Sequence, residues 1–184
     1  MNLKATYSAL LFAGLAVPSA FASDGTITFT GEITNVSCSV SGEGNVGPDF
    51  TVPMAGVDGS KFTGVGTRVG ETGFRLYVGK TGETSCAPGT TVWAAFDPDS
   101  TLTDPNTGMV RLAGASTAAG VQFRLLNENQ EVIDIWGDQK VVKKVVGTDN
   151  QTILAHVVAF EQTAATVAAG TATGSVKYTL RFEP

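Results

Sequence analysis

Residues 24–40 read DGTITFTGEITNVSCSV. Ile27, Phe29, Gly31 and Ile33 fall at every second position, with Thr26, Thr28, Thr30 and Glu32 between them. A period of two is that of an extended strand, and a strand with one apolar face must be received by a sheet. The stretch predicts a strand at the head of the chain. It also poses a question: does that strand complete the sheet of its own molecule or of another copy?

Upstream, Lys4 precedes a short apolar run at 9–17, Pro18 ends it, and Ala20-Phe21-Ala22 supplies small residues at a cleavage position. This three-part pattern predicts a secretory signal peptide over residues 1–22, with an apolar run too short to cross a bilayer. Cleavage after Ala22 leaves residues 23–184, a length that suits one domain with a sizeable core. It removes only Lys4 among the charged residues, so 11 basic residues face 17 acidic ones in the mature chain. An acidic chain with dispersed Lys and Arg speaks against a nucleic-acid partner.

Export also frames the cysteines, of which there are 2, Cys38 and Cys86. An even pair in an oxidising compartment most simply forms one disulfide. Closing a loop of about 48 residues is worth on the order of 4 kcal/mol in the chain-entropy model. A redox or metal site would require clustered Cys or His, and the sequence has neither.

Downstream, short apolar runs alternate with turn residues. Residues 74–78 (FRLYV), 91–96 (TVWAAF), 141–146 (VVKKVV), 152–160 (TILAHVVAF) and 176–182 (VKYTLRF) read as strands. Residues 121–126 (VQFRLL) and 132–136 (VIDIW) read as a hairpin closed at 127–130. With 22 glycines and no long 3.6-residue period, the chain is expected to be all-β, and the strand spacing fits an immunoglobulin-like sandwich.

The search for chemistry finds little. His156 lies inside a strand-like run without a nucleophile or acid at a recognisable spacing, so a structural histidine is the better reading. Asp97, Asp99, Asp104 and Asn106 share one loop, but lack the glycine and terminal Glu of a calcium-binding loop, and read as a solvated turn. Asn35-Val36-Ser37 and Asn150-Gln151-Thr152 fit a glycosylation pattern that matters only in a eukaryotic host. Trp93, Trp136 and Phe123, on alternating strands, are expected in the core rather than on a carbohydrate or partner surface. No enzyme signature and no cofactor site emerges.

Five pieces in order resemble the pilin subunits of chaperone–usher fimbriae, the type 1 fimbrial protein family of Gram-negative bacteria. They are residues 25–33 followed by Cys38; Phe74 and Leu76 followed by Cys86 and 92–96; residues 120–127 (GVQFRLLN); residues 158–160 with 167–170; and the closing run 176–182, with Phe182 as its aromatic near the C-terminus. The likeness covers the whole mature chain.

The resemblance implies an incomplete immunoglobulin-like β-sandwich, lacking its last strand and completed by donor-strand exchange. Residues 23–33 would form the N-terminal donor-strand extension, presenting Ile27, Phe29, Gly31 and Ile33. Residues 34–184 would form the pilin domain, whose acceptor groove lies beside Val176, Tyr178, Leu180 and Phe182. The partners so implied are other pilin subunits, a periplasmic chaperone and an outer-membrane usher. The destination is the cell surface, in a fimbrium that serves adhesion. The alternative is a self-contained secreted β-sandwich that binds a carbohydrate or a protein, its first strand completing its own sheet.

The physics of the extension is consistent with donation. Burying Ile27, Phe29 and Ile33 is worth roughly 5–9 kcal/mol at ~1.5–3 kcal/mol per side chain. A slip of one residue would turn Thr28 and Thr30 inward, which specifies the register. An acceptor left open is an exposed strand edge, a template for aggregation.

Overall fold

The computed structural model describes residues 37–45 and 47–183, all within one compact unit, Thr34–Pro184. Ile27, Phe29, Gly31 and Ile33 lie outside the described residues, as does the predicted signal peptide.

Among the described residues the strands are β1 (Val40–Ser41), β2 (Arg68–Gly79), β3 (Thr91–Asp97), β4 (Val121–Asn127), β5 (Val132–Ile133), β6 (Lys144–Val145), β7 (Gln151–Gln162) and β8 (Lys177–Glu183). They form two sheets, in the orders β1-β2-β7-β4-β5 and β6-β3-β8, with every pairing antiparallel. Alternation explains how they stack. Phe74, Leu76 and Val78 of β2 and Leu154 and Val158 of β7 point the same way as Phe123 and Leu125 of β4. Val92, Ala94 and Phe96 of β3 meet them from the second sheet, and the resulting core reads as two adjoining apolar clusters. Period-two burial on facing sheets is the packing rule of a β-sandwich.

β2 and β7 are longer than their alternating runs suggest. A register shift between Val69 and Thr72 breaks β2, where Gly70 takes a φ of 73°. Such a bulge puts two residues opposite one and hides the period. The second arm of the predicted hairpin shrinks to Val132–Ile133, because Asp134 accepts from the Trp136 amide and turns the chain away. Likewise only Lys144–Val145 of 141–146 pairs as a strand. Ahead of it the Gln139 side chain takes the place of a neighbouring strand, accepting from the Phe96 amide at 2.8 Å and donating to the Phe96 carbonyl at 2.7 Å.

Of the three aromatics expected in the core, Phe123 is buried but the tryptophans are not. Trp136 is 41% exposed, its indole N–H donating to Thr103 Oγ1. Trp93 lies on the outer face of β3, half-buried beneath the Lys143 ammonium at 4.4 Å. Both present an apolar body with a polar or cationic neighbour, which is how such rings sit at a surface.

The buried polar side chains Arg124 and Asn127 of β4 are paired. Arg124 of β4 forms a two-pronged ion pair with Glu161 of β7, at 2.9 Å on each side, and donates its third nitrogen to the Thr107 carbonyl. Asn127 closes the 127–131 turn, accepting from the amides of 129 and 131 while donating to Glu131 and to the Lys140 carbonyl. Full pairing is what makes such burial tolerable.

Cys38 and Cys86 are joined as a disulfide 48 residues apart in the chain. Cys86 packs with Leu76, Val78, Val92 and Leu154, and its carbonyl accepts from the Asn150 side chain at 2.9 Å. Gly79 faces this junction with φ 76°, and a Cβ there would run into both the Asn150 carbonyl and the Cys86 sulfur. Only glycine fits both the space and the left-handed conformation.

Candidate functional site: a groove along the last strand

β8 alternates strictly. Lys177, Thr179, Arg181 and Glu183 face outward and Tyr178, Leu180 and Phe182 inward, each only half-buried. The outward residues are held by polar contacts: Lys177 to Asp99 at 3.0 Å, Thr179 to Asp97, and Glu183 to Lys143 at 2.7 Å. On one side β8 pairs with β3 along its whole length, from Lys177 opposite Asp97 to Glu183 opposite Thr91. On the other side it pairs with no strand among the described residues.

Beyond that free edge runs a groove. Its opposite wall is the segment 48–57, extended but unassigned to any strand, with Phe50, Val52 and Met54 packed against the core at alternate positions. Among the described residues, no backbone–backbone hydrogen bond ties 49–57 to a neighbouring strand. The floor is made by Phe74, Phe96, Phe123, Leu125, Val158 and Phe160. One compartment, of about 960 Å³, is lined in part by the small-residue segment 167–176. A second, of about 400 Å³, continues past Cys38 and Val40 to Leu180 and Phe182. Both compartments touch Pro48, Asp49, Val176 and Tyr178.

Val176, Tyr178, Leu180 and Phe182, singled out in the sequence, thus line one continuous trough. Cys38 stands at its far end, and Ile27, Phe29, Gly31 and Ile33 lie outside the described residues. The 48–57 wall was missed. Its signal is the alternation Phe50-Thr51-Val52-Pro53-Met54, masked by Pro53 within it and Pro48 just before it, which disqualify it as an inner strand. Such a trough has the chemistry to take an extended peptide: free backbone groups on one rim and an apolar floor for every second side chain. Among the described residues no cluster of His, Cys, Asp or Glu is placed to hold a metal.

His156 lies directly under this floor. Its ring stacks on Phe74 with centroids 5.4 Å apart and meets Phe96 edge-on at 5.2 Å. Nδ1 is buried without a hydrogen-bond partner. Burial drives the imidazole pKa from 6.5 down to about 4, against weaker raising contributions from the Leu154 backbone and the Glu128 carboxylate. A histidine neutral in the fold but protonated when unfolded makes stability full above pH ~6.5 and erodes it as pH falls towards 4. The total loss is roughly 3 kcal/mol at ~1.4 kcal/mol per unit. The paired carboxylates Asp58, Glu83, Asp99, Asp104 and Asp138 all titrate below their ordinary values of 3.8 or 4.5, so they act at lower pH. Urea melts between pH 7 and 4.5 are therefore expected to show a steady loss that His156→Leu abolishes. An identical slope in that variant would assign the loss to another group.

No family model matches the chain. The major fimbrial subunit SMF-1 of Stenotrophomonas maltophilia is 35% identical over 171 residues, which span 89% of this chain and 95% of that protein. The chain belongs to the fimbrial subunit family. The F17 fimbrial protein of Escherichia coli is 26% identical to this fimbrial subunit over 175 residues, 94% of the chain and 95% of the relative. Among solved structures, the antigen and type I fimbria protein of Burkholderia pseudomallei matches with a TM-score of 0.51 at 25% identity, covering 85% of the subunit and 97% of that chain. The P pilus rod subunit PapA shares the fold, with a TM-score of 0.52 at 12% identity over 86% of the subunit and 99% of that chain. The protein is accordingly a structural, non-enzymatic component of a surface fimbria, and its fold is the all-β pilin sandwich.

Proposed function

We propose that this fimbrial subunit polymerises by donor-strand exchange. Residues 23–33 of one copy enter the groove of the next, bond to the free edge of β8, and send Ile27, Phe29 and Ile33 towards the apolar floor. Gly31 falls on the same face, where the absent side chain lets the backbone approach closely. The observation that carries this reading is the trough itself: an apolar floor between β8 and the wall 48–57, edges that pair with no strand across the trough among the described residues. Before assembly, a periplasmic chaperone covers the same edge with a strand of its own, and an outer-membrane usher is where the exchange takes place. The exposed edge would otherwise favour aggregation.

A synthetic peptide of residues 23–33 tests this. Added to the mature subunit, it is expected to occupy the groove, cap growing polymers, and release so slowly that the joint is kinetically stable. A peptide with Ile27→Asp and Phe29→Asp should do neither. Subunits that ignore the native peptide and stay monomeric, with their own Ile27 and Phe29 in their own interior, would establish the self-contained sandwich instead.

A further inference from the structure

The two compartments of the groove meet at Tyr178. Its hydroxyl donates to the Pro48 carbonyl at 2.9 Å, across 130 residues of chain, and among the described residues it is the one hydrogen bond that spans the trough. The ring packs against both apolar clusters, together with Phe50 beside Pro48. β8 is thereby pinned to the opposite wall at the waist of the groove, with about 960 Å³ on one side and about 400 Å³ on the other.

We infer that Tyr178 is a clasp that gates strand entry: its bond to Pro48 ties the walls together in the open subunit and must part before one strand can fill both compartments. This rests on the strand-exchange reading. A strand lying along β8 places its backbone over the rim and alternate side chains in the trough, so the Tyr178 hydroxyl occupies space the strand has to cross. Among the described residues the wall 48–57 has no backbone bonds to a strand of its own, which leaves the clasp as its polar tie to β8. Near Tyr178, burial and the Asp49 carboxylate hold the phenol protonated, so it remains a donor throughout the physiological range.

The test is the rate at which fluorescein-labelled 23–33 peptide enters the mature subunit, compared with the Tyr178→Phe variant. The ring stays and only the tie is lost. Entry is expected to quicken roughly two- to tenfold, the span that one net hydrogen bond covers at about 1.4 kcal/mol per factor of ten. Release should be unchanged, because the clasp is already open in the filled groove. An unchanged entry rate, or entry and release accelerated together as in a generally loosened fold, would overturn the clasp. Failure of the native subunit to take up peptide at all would overturn the strand-exchange reading, and the clasp with it.

Discussion

A subunit that begins at residue 34 is expected to act as a chain terminator. On the strand-exchange proposal it keeps β8, the 48–57 wall and the disulfide, so it should still accept a strand while having none to give. In the proposed exchange each intact copy would carry one groove and one extension, a head-to-tail contact that does not close on itself and so generates a filament. A truncated copy fits at one end only. Mixed with intact subunits, it should shorten the polymers in inverse proportion to its share, and alone it should form none. The lost contact is large, roughly 5–9 kcal/mol from Ile27, Phe29 and Ile33 before the main-chain bonds are added. Ladders on an unheated denaturing gel read the length distribution directly. Truncated copies that extend the polymer as well as intact ones would remove residues 23–33 from the joint.

The second large effect concerns the bridge between Cys38 and Cys86. Changing both to alanine is expected to lower unfolding free energy by on the order of 4 kcal/mol, the chain-entropy value for a loop of this length. Against a total of about 5–15 kcal/mol for a domain, that is a large fraction. Two features of the structure make the loss local as well as global. Cys86 is fully buried among Leu76, Val78, Val92 and Leu154, and Gly79 is left without a side chain so that the sulfur and the Asn150 carbonyl can approach. Urea midpoints for the oxidised chain and the double variant measure it. A difference below about 1 kcal/mol would mean that strain or residual structure cancels the entropic gain.

The elements legible in the sequence were those whose period of two is uninterrupted. β3, β4 and β8 fall within a residue or so of their alternating runs: β3 and β8 have one face on the core and one nearer solvent, while β4 is buried on both faces and keeps its alternation through Gln122 and Arg124. β2 was read short, since Gly70 and the register shift beside it break the pattern. The tryptophans were misplaced for a related reason. Alternation says which residues share a face, not which face is inward, and Trp93 shares its face with outward Thr91 and Asp97. For the groove, the inward row on β8 was readable while its opposite wall was not. Phe50, Val52 and Met54 are positioned by packing against the cluster that holds Phe74 and Phe123, with no ladder of their own among the described residues, and with Pro53 in the run and Pro48 just ahead of it. Side-chain substitutes for strands, such as Gln139 beside Phe96, depend on contacts 43 residues apart and carry no local signature.

The position of the disulfide has a mechanical consequence. Under the proposed strand exchange, tension arriving through a donated extension would reach the folded body at Cys38, and the covalent bridge would hand it at once to Cys86. Everything between them, including the two-residue strand β1, the 48–57 wall and the whole of β2, is bypassed. A pull on the fibre cannot peel β1 away from β2 or drag the groove's wall open from that end. A polymer joined in this way would keep its sockets in shape under load, which would pass instead to the hydrogen-bonded sheets behind them.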